Sequence, residues 1–148
     1  MGTLEASWTV EIAAPRERCF DIAADIEGAP EWQGTLEHVD VLKRDREGRA
    51  MVVDTTSDAS VKKVKSRLRF SYQPPGGITW EQEKGDAKWL NGRWEFEDLG
   101  DGRTRATYAL ESDPGRVLGM LLRGPVQDRV KEHLTRAPTE GLERVAPA

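Results

Sequence analysis

Three side chains in this sequence are placed to move or share a proton. Val126, Val130, His133 and Ala137 are spaced by four, three and four residues. On a helix that spacing sets His133 on a stripe with apolar neighbours. An imidazole there can act as general acid or base on a bound carbonyl compound. The competing reading is an edge position, half exposed beside Leu134. Tyr72 and Tyr108 are the other candidates, each a phenol within an alternating row of aromatics. No carboxylate, histidine and hydroxyl can be shown to converge, so no reaction is specified. His38 alternates against Val39 and Val41 and is expected to point outward. Cys19 has no partner nearby in sequence and reads as a small buried apolar residue.

A second group suits binding rather than proton transfer. Phe70, Tyr72, Trp80, Trp94, Phe96 and Tyr108 fall on one parity of successive strand-like segments, with Leu90 in the same rows. Large aromatics with a polar handle grip an apolar or aromatic molecule and fix its orientation. Trp32, Leu121 and Val130 complete the expected cavity lining. The alternative at each position is plain core packing. Trp32 is equally a staple holding short helices on the sheet. Trp89 takes the opposite parity from Trp94 and is expected on the outer face or the rim.

The elements that must hold these residues are legible from periodicity. Trp8, Val10 and Ile12 alternate with polar neighbours and predict a half-buried strand. Pro15 opens a short helix carrying Cys19, Phe20, Ala23 and Ile26, and Pro30 opens a second turn carrying Trp32. From Leu36 the period is two. Strands follow through Leu110, separated by Asp45–Gly48, Pro74–Gly77, Gly85-Asp86 and Gly100–Gly102. Met51, Val52 and Val53 run together, so that strand's facing stays open. Asp113 can cap a helix begun by Pro114. Val117, Leu121, Val126, Val130, Leu134 and Ala137 suggest its apolar seam. Gly124-Pro125 is expected to kink it, or to separate a short helix from the main one. Pro138 is expected to break it again, leaving Leu142 and Val145 in a last turn.

One helix must then cover a whole sheet. A helix is ~10–12 Å across, whereas about seven strands span roughly 30 Å. The sheet must curl around the helix and leave a hollow, which suits a small apolar guest. The expected class is α+β.

Composition narrows the partners. The chain has 148 residues and a net charge of −4, which points to one domain over 1–148 and away from nucleic acid. No apolar run suits stable membrane insertion, and no leader pattern opens the chain, so a cytoplasmic location is expected. One cysteine and two histidines offer no metal site and no disulfide, and no cofactor is expected. A homodimer is left open. Lys63, Lys65, Arg67 and Arg69 share one parity opposite Glu81 and Glu83, which reads as a solvated ladder of charge rather than a nucleic-acid surface.

The order of elements resembles the SRPBCC superfamily, relatives of START and birch-pollen-allergen proteins, in its polyketide cyclase/dehydrase and lipid-transport branch. Four stretches carry the resemblance: Trp8–Pro15, Asp25–Trp32, Asn91–Phe96 and Gly100–Tyr108. It implies a helix-grip fold, a curved antiparallel sheet around a long C-terminal helix, with an apolar ligand cavity. Pro125 and Pro138 depart from the family's usually continuous helix. Three functions remain: a carrier of a lipid, polyketide or isoprenoid; a cyclase, aromatase or dehydratase using His133, Tyr72 or Tyr108; and an interaction module anchored by Trp89. The carrier is favoured.

Overall fold

The computed structural model describes residues 3–147. Strand β1 (Leu4–Ile12) leads into helix α1 (Arg16–Ala24) and a 3-10 segment over Ile26–Glu31. Six strands follow: β2 (Leu36–Arg44), β3 (Ala50–Asp58), β4 (Lys63–Gln73), β5 (Gly77–Gly85), β6 (Trp89–Gly100) and β7 (Arg103–Asp113). Helices α2 (Gly115–Leu121) and α3 (Pro125–Val145) close the chain. The sheet is antiparallel in the order β1-β7-β6-β5-β4-β3-β2. Its shape is the helix-grip, with the sheet curved around the C-terminal helix.

Only the β1–β7 junction is out of sequence order, and it sets the geometry. The first strand returns to pair with the last, Trp8 opposite Tyr108 and Ile12 opposite Thr104. Helix α3 packs mainly on β1 and also on β7. The inner face of β3 to β6 is therefore left to α1, the 3-10 segment and whatever space remains.

The unresolved facing of the third strand is settled by its partners. Val53, Thr55 and Ser57 sit opposite Leu68, Ser66 and Val64 of β4. They share the inner parity, while Val52 pairs with Arg69 on the outer one. An extra residue at Leu42 in β2, between Val41 and Lys43, shifts the register opposite Val52 and Val53. The outer charge ladder forms: Arg67 Nε donates to Asp54 at 2.7 Å and Arg69 Nε to Glu83 at 2.6 Å. These pairs remain open to solvent, half-buried at most, and contribute little each.

The last helix takes the second of the two forms expected at Gly124-Pro125, with the seam out of the expected phase, and departs from expectation at Pro138. The break at Gly124-Pro125 is a full separation into α2 and α3, and it shifts the phase of the apolar seam. Leu118 and Leu122 turn inward, while Val117 and Leu121 are exposed. Pro138, by contrast, does not break α3, which runs on to Val145. Tertiary packing overrides the missing backbone donor. Pro138, Gly141, Leu142 and Ala146 are all buried, and a Cβ on Gly141 would collide with the Trp32 carbonyl. The guanidinium of Arg18 also bonds the Ala146 carbonyl from α1.

Candidate functional site

The inner sheet face is solid at one end and hollow at the other. At the solid end Phe20 of α1 meets Tyr72 edge-on at 6.4 Å between ring centres. The Tyr72 hydroxyl donates to the Ala50 carbonyl at 2.6 Å. Arg49 lies 5.5 Å from both rings and caps them. Trp32 leans on Trp94 at 6.3 Å, and Phe96 stacks on Trp94 at 5.5 Å. Tyr72, Trp32 and Phe96, expected as lining, border neither chamber: Phe96 and Trp32 are in the core, and Tyr72 packs half-buried against it beneath Phe20 of α1.

At the other end two adjacent chambers remain. The inner one has a volume of about 130 Å³ and is walled by Phe70, Trp80, Trp94 and Tyr108 on one side. Gln33, Thr35, Thr55, Ser57 and Ser66 supply its polar lining, with Leu134 of α3 also at its wall. The outer one, about 110 Å³, is lined by Leu4, Ala6, Val61, Leu118, Leu122 and Val130 among others. Ala59, Val64, Leu90, Leu110 and Leu134 belong to both walls. Each chamber approaches the ~150 Å³ known to take one benzene ring.

The aromatic wall is built by close register. Trp80 pairs with Gly92, and Trp94 with Tyr108. A Cβ at Gly92 would overlap the Trp80 indole, so only glycine lets that ring lie flat on β6. Trp80 and Tyr108 then sit 5.4 Å apart, and Trp94 meets Tyr108 edge-on at 4.9 Å.

The chamber's polarity is specific. Among the described residues no Asp, Glu, Lys, Arg or His lines the inner chamber. Tyr108 is its one titratable side chain, and burial raises that phenol above its ordinary 10.0. No protein group among the described residues bonds its hydroxyl, nor the side chains of Gln33 and Thr35, although Thr55 and Ser66 are bonded within the sheet. Unpaired polar groups at a cavity wall are costly unless a guest or water completes them.

The other sequence candidates fall elsewhere. His133 is at the helix edge, outside both chambers, with its Nε2 3.2 Å from the Asp58 carbonyl. Residue 134, not 133, faces the sheet, because the stripe continues through Val130, Leu134 and Leu142. Leu121 is exposed on α2. Trp89 is half-buried at the rim, its carbonyl accepting from the Ser112 hydroxyl at 2.9 Å, and offers no protruding anchor. Cys19 is buried, which pushes its thiol up. No cluster suited to a metal ion is found among the described residues.

A family model described as polyketide cyclase/dehydrase and lipid transport matches residues 12–138. The chain belongs to that family. The fold agrees with solved structures throughout its length. A START superfamily protein from Mycobacterium smegmatis is 22% identical, with 95% of this chain and 98% of that one covered and a TM-score of 0.78. A protein from Thermus thermophilus is 25% identical, covering 95% of each chain, with a TM-score of 0.82. The Zhui aromatase/cyclase from Streptomyces sp. R1128 is 19% identical over 97% of this chain and 93% of that one, with a TM-score of 0.81. No curated protein sequence matches.

Within the cyclase/lipid-transport family fold, the polar wall is what sequence reasoning missed. Gln33 and Thr35 lie in the connection before β2, where no periodicity applies. Thr55 and Ser57 continue the inner parity of Val53. Small hydroxyls replacing valine along that parity were the one available signal.

Proposed function

We propose that the protein binds and carries a small molecule of the lipid, polyketide or isoprenoid kind. The buried part of that molecule is uncharged, ring-shaped and bears an oxygen. The observation that carries this reading is the inner chamber: four aromatic rings and several uncharged polar side chains line it, and no group among the described residues bonds the Tyr108 hydroxyl. A charged group there would lose its hydration without an opposite charge to replace it. A ketone or phenol oxygen can take the Tyr108 proton in a hydrogen bond while its ring stacks on Trp80 or Trp94. The apolar remainder of the molecule extends into the outer chamber.

The test is uptake of a neutral naphthylamine fluorophore, paired with native mass spectrometry of protein from its own host. Saturable fluorescence and a co-purified mass of one or two rings are expected. Leu90→Trp fills the wall shared by both chambers and should abolish both signals. Protein that takes up no probe, or that binds equally well with Leu90→Trp, defeats the reading.

A second reading, a cyclase or dehydratase in the same hollow, is favoured by one feature: the free Tyr108 hydroxyl could hydrogen-bond a reacting carbonyl. It lacks a base, because the raised Tyr108 stays protonated at neutral pH and His133 lies outside. Loss of turnover of a poly-β-keto substrate in Tyr108→Phe, with probe uptake intact, would favour it over the carrier.

A further inference from the structure

Helix α2 carries large apolar side chains on its outward side as well as its inward one, and an apolar side turned outward calls for cover. Leu118 and Leu122 face the outer chamber. On the opposite side Val117 is 68% exposed, Met120 62% and Leu121 42%. Val61, 41% exposed, lines the same chamber from the β3–β4 turn. Among the described residues five large apolar side chains are exposed, and these are four of them; the fifth, Leu42, is on β2.

The charge around this patch is one-sided. From Gly115 to Gln127 the sequence holds Arg116 and Arg123, both exposed, and no carboxylate. Lys62 and Lys131 line the chamber beneath. This is the reverse of the chain's net charge of −4. The bordering carboxylates are engaged or turned away. Asp113 accepts from the Gly115 amide at 2.9 Å, and Asp128 shares a groove with Glu132, His133 and Arg136 on the other side of α3.

We infer that α2 seats the mouth of the hollow on an anionic lipid surface. Val117, Met120 and Leu121 enter the headgroup boundary, and Arg116 and Arg123 pair with lipid phosphates. Three apolar residues and two arginines give reversible attachment only, and no helix among the described residues is long and apolar enough to cross a membrane. The charge argues for lipid over a second copy of the chain. A symmetric α2-to-α2 contact would bring the same arginines together. Glycines with positive φ, Gly115 at 81° and Gly124 at 56°, lie at the two ends of the segment. Attachment there would put the outer chamber against the bilayer, where an apolar guest could pass without crossing water.

Co-sedimentation tests this on the full chain without any guest, so it stands or falls apart from the ligand reading. Vesicles of phosphatidylcholine alone are compared with vesicles mixed with phosphatidylglycerol. Binding to the mixed vesicles, weakened by salt, is expected, with about tenfold losses for Met120→Glu and for Arg116→Glu with Arg123→Glu. Leu42→Glu should bind as the parent does, and naphthylamine uptake should survive in all of them. Equal binding to both vesicle types, equal losses with Leu42→Glu, or a solution dimer that Met120→Glu dissolves without any vesicle binding would overturn the inference.

Discussion

The two ends of the inner sheet face carry the same kinds of residue in the same rows, yet one is core and the other is wall. Phe96 and Trp94 are two residues apart on β6; Tyr72 and Phe70 are two apart on β4. In each pair the first is covered by protein and the second borders the hollow. The cause lies outside the sheet. Phe20 and Trp32 descend onto one end from α1 and the 3-10 segment, and Gly141 lets α3 approach Trp32. Over the inner chamber Leu134 reaches down from α3, and over the outer one Val130, Lys131 and Leu134 do so. A cavity in this fold is the part of the face that no covering side chain reaches.

The comparison breaks most severely at the solid end. Phe20 is 2% exposed and holds the Tyr72 and Arg49 contacts. Phe20→Ala should cost about 3–5 kcal/mol, as a lost aromatic core contact does, read from urea unfolding. Leu134→Ala, whose side chain already borders empty space, should cost much less. Equal losses at the two sites would mean that the hollow is as tightly packed as the core.

Filling the hollow is the next largest effect and has the opposite sign. Leu90→Trp should leave the unfolding midpoint unchanged or raise it, because it adds apolar contact where none exists. The same change should lower probe affinity by at least about twentyfold, close to 2 kcal/mol. A destabilised Leu90→Trp that still binds would show that the chambers cannot accept a side chain.

The fold was legible where local pattern and packing agree. Strand alternation and the turns are carried mostly by residues whose burial follows their parity, whereas the pairing of the first strand with the last has no local signal. The helix ends were less legible. Nothing local in Ala137-Pro138-Thr139 reveals that Gly141 lies against Trp32 and that Ala146 is held by Arg18. The site was half legible, since alternation identifies which face an aromatic takes but not what covers it. His133 shows the same limit. A stripe one residue wide cannot separate position 133 from 134 when the helix's rotation is fixed by packing on β1.

Each region also holds one tyrosine, which alkali should reveal. Burial raises both Tyr72 and Tyr108 above the ordinary 10.0. The fold thus favours the neutral phenol. That stabilisation is complete below pH 10 and is lost as pH rises past it, toward the folded-state value. The decline should be on the order of 1 kcal/mol per tyrosine per pH unit, seen as a falling urea midpoint. Tyr72→Phe and Tyr108→Phe together should flatten it. A bound guest should preserve the Tyr108 share alone, because only that phenol borders the hollow.

The smallest effect is the most specific. Tyr108→Phe removes one hydroxyl that no group among the described residues uses, so it leaves no described partner unpaired and stability should barely change. A guest that accepts a hydrogen bond should lose about five- to tenfold in affinity, near 1 kcal/mol. A pure hydrocarbon of the same size should lose nothing. Tyr72→Phe should spare both guests, because that hydroxyl is already spent on the Ala50 carbonyl at the solid end. Calorimetric titration of the three proteins with a matched pair, such as naphthol and naphthalene, separates the cases. If Tyr108→Phe weakens both guests equally, the ring rather than the hydroxyl holds the ligand, and the oxygen assigned to the guest has no partner in this chamber.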